Sequence, residues 1–92
     1  MKVIGLTRLQ PLQTDEALRG AAAAFVAELR VLTCARIEDV QRRYPLAESN
    51  GCRLAIPLGP THVVDVAFNV DLGMALIEKV GPTDRTRVGR SR

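Results

Sequence analysis

The segment THVVDVAFNVDLGMALIEKVGP, residues 61–82, contains the clearest secondary-structure signal in the chain. Its first ten residues are rich in valine and predict a β-strand over 61–70, because β-branched side chains favour extended backbone. Residues 71–73, DLG, predict a tight turn. Residues 74–80 predict a second strand, which ends at Gly81. The segment is therefore typical of two neighbouring strands in an antiparallel sheet.

The first of these strands has one apolar and one wetter side. Side chains alternate between the two faces of a strand. Val64, Val66 and Phe68 occupy alternate positions and predict the face that is buried against a core. Asp65 and Asn69 fall on the other face, which we expect to meet water or a partner.

Two further strands are predicted outside this segment. Residues 52–58 predict a strand that closes at the turn pair beginning with Gly59. Residues 2–6 alternate weakly and predict a short N-terminal strand, which ends before Pro11. Residues 45–51 predict a loop, because they contain the turn pair Asn-Gly at their end.

Two helices are predicted between the N-terminal strand and this loop. The longer covers 15–32, with Thr14 as its N-cap and two acidic residues in its first turn, where they complement the helix dipole. Its larger apolar residues recur at helical spacing: Leu18, Phe25, Leu29 and Leu32. The shorter helix covers 36–44 and stops at Pro45. We expect an α+β fold with a short N-terminal strand and two helices packed on one face of a small antiparallel sheet.

Basic residues are concentrated near the end of the chain. The 92 residues carry a formal net charge of +3, and eleven of the thirteen basic residues are arginine, which is suited to bidentate phosphate contacts. The segment from Lys79 to Arg92 holds five basic residues and one acid, so residues 1–78 are slightly acidic. This asymmetry predicts an anionic partner, nucleic acid or an acidic protein, or else a solvated tail. We expect one domain over 1–88 and a basic tail over 89–92.

Several function classes are disfavoured by the composition. Two cysteines without a CxxC spacing and a single histidine predict neither a metal site nor a disulfide scaffold. No cofactor-binding motif such as a P-loop is present, so we expect no cofactor. Three aromatic residues are too few for a base-stacking platform. No uncharged apolar run reaches about 18 residues and no apolar leader is visible, so we expect a cytoplasmic protein without membrane contact.

The candidate functional residues are basic. Arg53, Lys79, Arg85 and Arg87 lie on or just after the predicted sheet. If the final segment folds back across the uncovered face, these cations would line a groove that binds phosphates and stabilises charge during phosphodiester cleavage. His62 is either a general base or a residue at a strand edge without a catalytic task.

The order of several short motifs resembles a known family. These motifs are MKVI at 1–4, IEDV at 37–40, YPLA at 44–47, RLAI at 53–56 with Gly59, the valine-rich strand, Gly73, and LIEKVG at 76–81. Together they resemble the HigB-like toxins of bacterial type II toxin–antitoxin systems, within the RelE/ParE superfamily. The resemblance extends over nearly the whole chain.

This resemblance implies a specific activity. Such proteins are small, basic α+β ribonucleases that cleave messenger RNA on the ribosome without a metal, through attack by the RNA 2′-hydroxyl. It also implies a cognate antitoxin, often with a helix-turn-helix domain, which neutralises the toxin and carries it to operator DNA. Within such an activity, we expect the basic residues Lys79, Arg85 and Arg87 to contact the phosphate and stabilise the transition state, with His62 as a lesser catalytic candidate, and Arg53 and Arg90 to contact RNA.

The chain departs from the family pattern at three positions. Val63 stands where an arginine is usual, and Thr83 and Thr86 fall near the usual histidine and tyrosine. A threonine hydroxyl has too high a pKa to replace imidazole as a proton carrier near neutral pH. An alternative is therefore a catalytically degenerate toxin relative that acts by binding an antitoxin-like regulator or another target such as a gyrase. A third hypothesis, a module that docks on DNA, lacks a recognition helix.

Overall fold

A five-stranded sheet forms one layer of the computed structural model, which describes residues 1–82. Its strands are β1 (Lys2–Ile4), β2 (Glu48–Asn50), β3 (Arg53–Leu58), β4 (His62–Asn69) and β5 (Met74–Pro82). The second layer contains α1 (Glu16–Val31), α2 (Ile37–Arg43) and a 3-10 helix (Leu6–Thr14). The predicted α+β fold is confirmed. The predicted end of the domain at 88 and the tail at 89–92 lie outside the described residues.

The sheet is mixed rather than wholly antiparallel. Its strand order is β1-β5-β4-β3-β2, and β1 pairs in parallel with β5, with Lys2 opposite Met74 and Ile4 opposite Leu76. A parallel neighbour needs a long crossover, and the two helices together with β2–β4 provide it. β2 is a further correction, because the predicted loop 45–51 contains a strand that pairs with β3 through a two-residue turn at Gly51.

The core lies between the sheet and the helices. It includes alternate residues of the three central strands, each at most 4% exposed: Leu54, Ile56, Leu58, Val64, Val66, Phe68, Ala75 and Ile77. From the helical layer, Phe25, Leu29 and Val40 pack against them. The predicted faces of β4 are confirmed, since Asp65 is half-buried and Asn69 is exposed. Within residues 1–82, neither α-helix has the length and apolar character needed to span a bilayer.

The N-terminal boundary of α1 differs by one residue from the prediction. Asp15 is the N-cap, and its carboxylate accepts hydrogen bonds from the backbone N–H groups of Ala17 at 2.9 Å and Leu18 at 3.3 Å. Thr14 instead belongs to the 3-10 helix. Three residues per turn place every third side chain on one face of such a helix, and Leu9 and Leu12 are buried on that face.

A cluster of side chains joins α1 to α2. The hydroxyl of Tyr44 donates a hydrogen bond to Glu28 at 2.8 Å, and Arg43 forms an ion pair with the same carboxylate. The ring of Tyr44 packs edge-on against Phe25 with a centroid distance of 6.0 Å. Burial, and then the hydrogen bond to Glu28, raise the pKa of the Tyr44 phenol well above its ordinary value.

Tyr44 is the only tyrosine and the chain has no tryptophan, so its ionisation can be followed directly by phenolate absorbance. The pKa of Tyr44 is higher in the folded protein than in the unfolded chain. The contribution of Tyr44 to stability is therefore complete below about pH 10 and is lost as the pH rises through its pKa in the folded protein. We expect phenolate absorbance to rise only well above pH 10. Tyr44→Phe should lower the free energy of unfolding by about 1 kcal/mol at neutral pH. In this variant the free energy of unfolding should also fall less steeply as the pH rises into the alkaline range. A phenolate titration of the folded protein with its midpoint near the ordinary tyrosine pKa would contradict this description.

Gly5 connects β1 to the 3-10 helix in a conformation that other residues avoid. Its φ is +87°, and a Cβ atom built there would lie 2.5 Å from the carbonyl oxygen of Ile77. Both the backbone conformation and the contact with β5 therefore require glycine.

Gly5→Ala should lower the free energy of unfolding by about 3 kcal/mol, because it combines strain at positive φ with a clash against backbone. Gly20→Ala is the matched control: Gly20 lies within α1, and a Cβ there meets nothing within 4 Å. We expect this control to stabilise the protein by about 0.8 kcal/mol. Urea unfolding measures both changes, and equal effects would be inconsistent with the geometry.

Candidate nucleic-acid interface

The sheet face opposite the helices is not covered by any helix or strand among residues 1–82. We call it the open face. The register places these residues on it: Lys2, Ile4, Glu48, Asn50, Arg53, Ala55, Pro57, Val63, Asp65, Ala67, Asn69, Met74, Leu76, Glu78 and Lys79. Two of the predicted site residues, Arg53 and Lys79, therefore share one face.

A β-bulge in β5 determines which way Lys79 points. Asp65 pairs with Lys79 but the next residue of β4 pairs with Ile77, so Glu78 is an extra residue without a partner on β4. Ala75 and Ile77 face the core; by strict alternation Lys79 would do so too. The extra residue shifts the alternation by one position. Lys79 is consequently exposed and Val80 packs against the core.

Glu78 itself forms an ion pair with Arg53. Arg53 Nε lies 3.1 Å from Glu78 Oε1, and the pair reaches across β4. The Arg53 side chain is 66% exposed and that of Glu78 is 30% exposed. Both line a shallow depression of about 160 Å³, together with Glu48, Asn50 and Asp65. The positive charge of Arg53 is therefore partly neutralised within the chain.

The open face of the described residues is not cationic. It carries three carboxylates, on Glu48, Asp65 and Glu78, and three cations, on Lys2, Arg53 and Lys79, so its charges balance. Residues 1–82 contain nine basic and nine acidic residues, so the whole net charge of +3 comes from residues 83–92. Arg85, Arg87 and Arg90 belong to that segment and lie outside the described residues. Long-range attraction of a polyanion would therefore come from the end of the chain.

His62 does not share a site with Arg53 or Lys79. It pairs with Leu58 and Pro82 at the end of β4, and its strand position places it on the side of Val64, toward the helices. The ring is half-buried, with Nδ1 2.8 Å from the hydroxyl oxygen of Thr61. An imidazole on this side is poorly placed to exchange a proton with RNA bound on the open face.

Sequence reasoning missed Glu78 as a partner of Arg53. The signal was present in the spacing of the apolar residues, because Ala75 and Ile77 keep a period of two while Val80 breaks it. Within the part of the chain that the structure describes, no three His, Cys, Asp or Glu side chains gather in a way that could hold a metal ion.

Comparison with known proteins does not assign the chain to a family. No family model matches it, and no curated protein gives a significant match. The resemblance to HigB-like toxins therefore remains a prediction from the motifs, and we infer function from the geometry of the open face.

Glu78→Gln should strengthen RNA binding, because it removes the carboxylate that neutralises Arg53. We expect the dependence of log K on log salt to steepen by about one unit, the signature of one additional phosphate contact. Arg53→Ala in the Glu78→Gln background should remove the gain. Fluorescence anisotropy with a short single-stranded RNA measures these changes.

Glu16→Gln provides the control, since it removes an exposed carboxylate that lies 4.0 Å from Arg19 on α1, in the helical layer. An effect equal to that of Glu78→Gln would show that only net charge matters and would contradict a site on the open face.

Proposed function

We propose that this chain is the toxin component of a type II toxin–antitoxin system, of the HigB-like kind within the RelE/ParE superfamily. Its activity would be the metal-independent cleavage of messenger RNA on the ribosome. The observation that carries the proposal is the β-bulge at Glu78, which turns Lys79 onto the open face four residues before the arginine-rich segment begins at Thr83.

The fold is compatible with this proposal. The order of a strand, two helices and an antiparallel meander is the one that the resemblance implies, and the sheet has an uncovered face. The charge distribution adds separate support. A body whose charges balance and a terminal segment of +3 would place an RNA backbone at the end of β5, next to Lys79.

The RNA would provide the nucleophile, and the cations of the protein would stabilise the transition state. The 2′-hydroxyl would attack the adjacent phosphate, lose its proton to water and displace the 5′-oxygen, which would take a proton from water, while negative charge builds up on the phosphate oxygens. Lys79, with Arg85 and Arg87 from the terminal segment, would stabilise that charge. Arg53 and Arg90 would hold the RNA backbone through phosphate contacts. His62 would have no direct part, because it faces the helical side of the sheet.

A second candidate is a toxin relative that binds without cleaving. Two observations favour it: the imidazole of His62 lies on the wrong side of the sheet, and Arg53 is already paired with Glu78. Such a protein would act through an antitoxin-like regulator or on another target such as a gyrase.

Under both candidates the expected partner is an antitoxin with a helix-turn-helix domain, and operator DNA would be reached only through it. The site of action would be the cytoplasm, where messenger RNA is translated. A small neighbouring gene with a helix-turn-helix pattern would provide the natural binding partner for assays.

We expect wild-type protein to cleave messenger RNA in the presence of ribosomes, and Lys79→Ala to cleave at least about tenfold more slowly, because a cation near the reacting phosphate is lost. The double variant Arg85→Ala/Arg87→Ala should show a loss at least as large. The matched control is Arg36→Ala/Arg42→Ala, which removes two exposed arginines at α2 that form weak ion pairs with Glu38 and Asp39.

Primer extension on the message measures cleavage, and circular dichroism verifies that each variant folds. If folded wild-type protein leaves the message intact yet binds its neighbour's product tightly, the second candidate replaces the first. If Lys79→Ala behaves like the control pair, the open face is not where RNA reacts.

A further inference from the structure

A second surface of the molecule lies in the helical layer, between the 3-10 helix and α1. It is a groove of about 320 Å³. Leu9 and Val26 form its apolar floor, Leu6 and Gln13 line it from the 3-10 helix, and alanines of α1 form the opposite wall. The groove shares no residue with the open face, so binding at this groove can be tested separately from RNA cleavage.

The groove is open because of the side chains that α1 turns toward it. Ala23 and Ala27 are exposed and too short to reach the 3-10 helix. Leu6, a large apolar residue, is left 39% exposed at the rim. An exposed helix face in a monomeric protein is usually charged or polar, so a run of alanines beside an exposed leucine points to a surface that another chain covers.

Two arginines stand at opposite ends of the groove. Arg19 and Arg30 are eleven residues apart on α1, which is about three turns or roughly 16 Å along the helix axis. Arg19 has only a distant, exposed partner in Glu16, 4.0 Å away. Arg30 forms no ion pair with another residue of the described chain. The groove therefore combines an apolar floor with a positive charge at each end.

We propose that this groove binds an amphipathic helix of a partner polypeptide, with apolar side chains on the face that enters the groove and a carboxylate near each end. Short alanine side chains allow a second helix to approach α1 closely. Carboxylates eleven residues apart on such a helix would reach Arg19 and Arg30 at the same time, which would fix its position along the groove.

The charges argue against two other occupants. A second copy of this chain, docked by the same surface around a twofold axis, would bring the arginines of one groove against those of the other. An RNA strand needs cations along its path, whereas the floor between Arg19 and Arg30 is apolar.

The test uses two synthetic helical peptides of about 18 residues, each with leucine and alanine on one side. One has glutamate and the other lysine at two positions eleven residues apart. Fluorescence anisotropy with the full chain measures binding. We expect the acidic peptide to bind at least about tenfold more tightly than the basic one, and Arg19→Glu/Arg30→Glu to reverse this preference. Arg36→Glu/Arg42→Glu, which reverses two exposed arginines at α2, should leave the preference unchanged.

Ala23→Gln gives an independent variant that changes no charge. It fills the groove from an exposed position of α1, so the fold should persist while the affinity for the acidic peptide falls at least about fivefold. The proposal is overturned if neither peptide binds the wild-type protein, or if both variants bind the acidic peptide like wild type. It is also overturned if a short RNA displaces the peptide, or if light scattering shows a dimer that Ala23→Gln abolishes.

Discussion

The single extra residue in β5 is the constraint on which the arrangement of the open face depends. Ala75, Ile77 and Val80 all pack on the core side. In a regular strand Val80 would point to the face opposite that of Ala75 and Ile77. The bulge at Glu78 lets all three apolar side chains face the core. Its consequence is that Lys79 lies on the open face beside Glu78, although strict alternation would turn Lys79 toward the core. The packing of three apolar side chains therefore determines the electrostatics of the opposite face.

The bulge gives that face two opposing characters. Glu78 holds Arg53 in an ion pair at 3.1 Å, which removes one cation from those available to a phosphate. Lys79 remains exposed beside Asp65. Because residues 1–82 are electrically balanced, a polyanion that approaches from a distance would be drawn mainly by the terminal segment. In the proposed function, the sheet supplies the platform and Lys79, and the end of the chain supplies most of the attraction.

The fold class and most element boundaries could be predicted from sequence because the signals are local. Valine-rich alternation indicates β4, and apolar spacing indicates α1. The missed features depend on contacts that are remote in sequence or on a less common period. β2 consists of Glu48, Ser49 and Asn50, which have little strand propensity and are extended because they pair with β3. The 3-10 helix follows a period of three residues, carried by Leu6, Leu9 and Leu12.

For the candidate site, the sequence indicated Arg53 and Lys79 as cations on or beside the sheet, but not that they share one face or that Glu78 pairs with Arg53. Both features depend on a register that spans three strands. The direction of His62, in contrast, follows from alternation, since it lies two residues before Val64 and shares its face. The direction of Lys79 depends on the bulge, which a regular alternation does not reveal.

The most direct test of RNA binding at the open face is a map of backbone amide shifts by nuclear magnetic resonance as a short single-stranded RNA is added to the intact chain. We expect the largest shifts on the open face, at Lys79 and its neighbours Asp65 and Ala67, while α1 and α2 remain unchanged. Shifts confined to the helical layer would contradict binding at the open face.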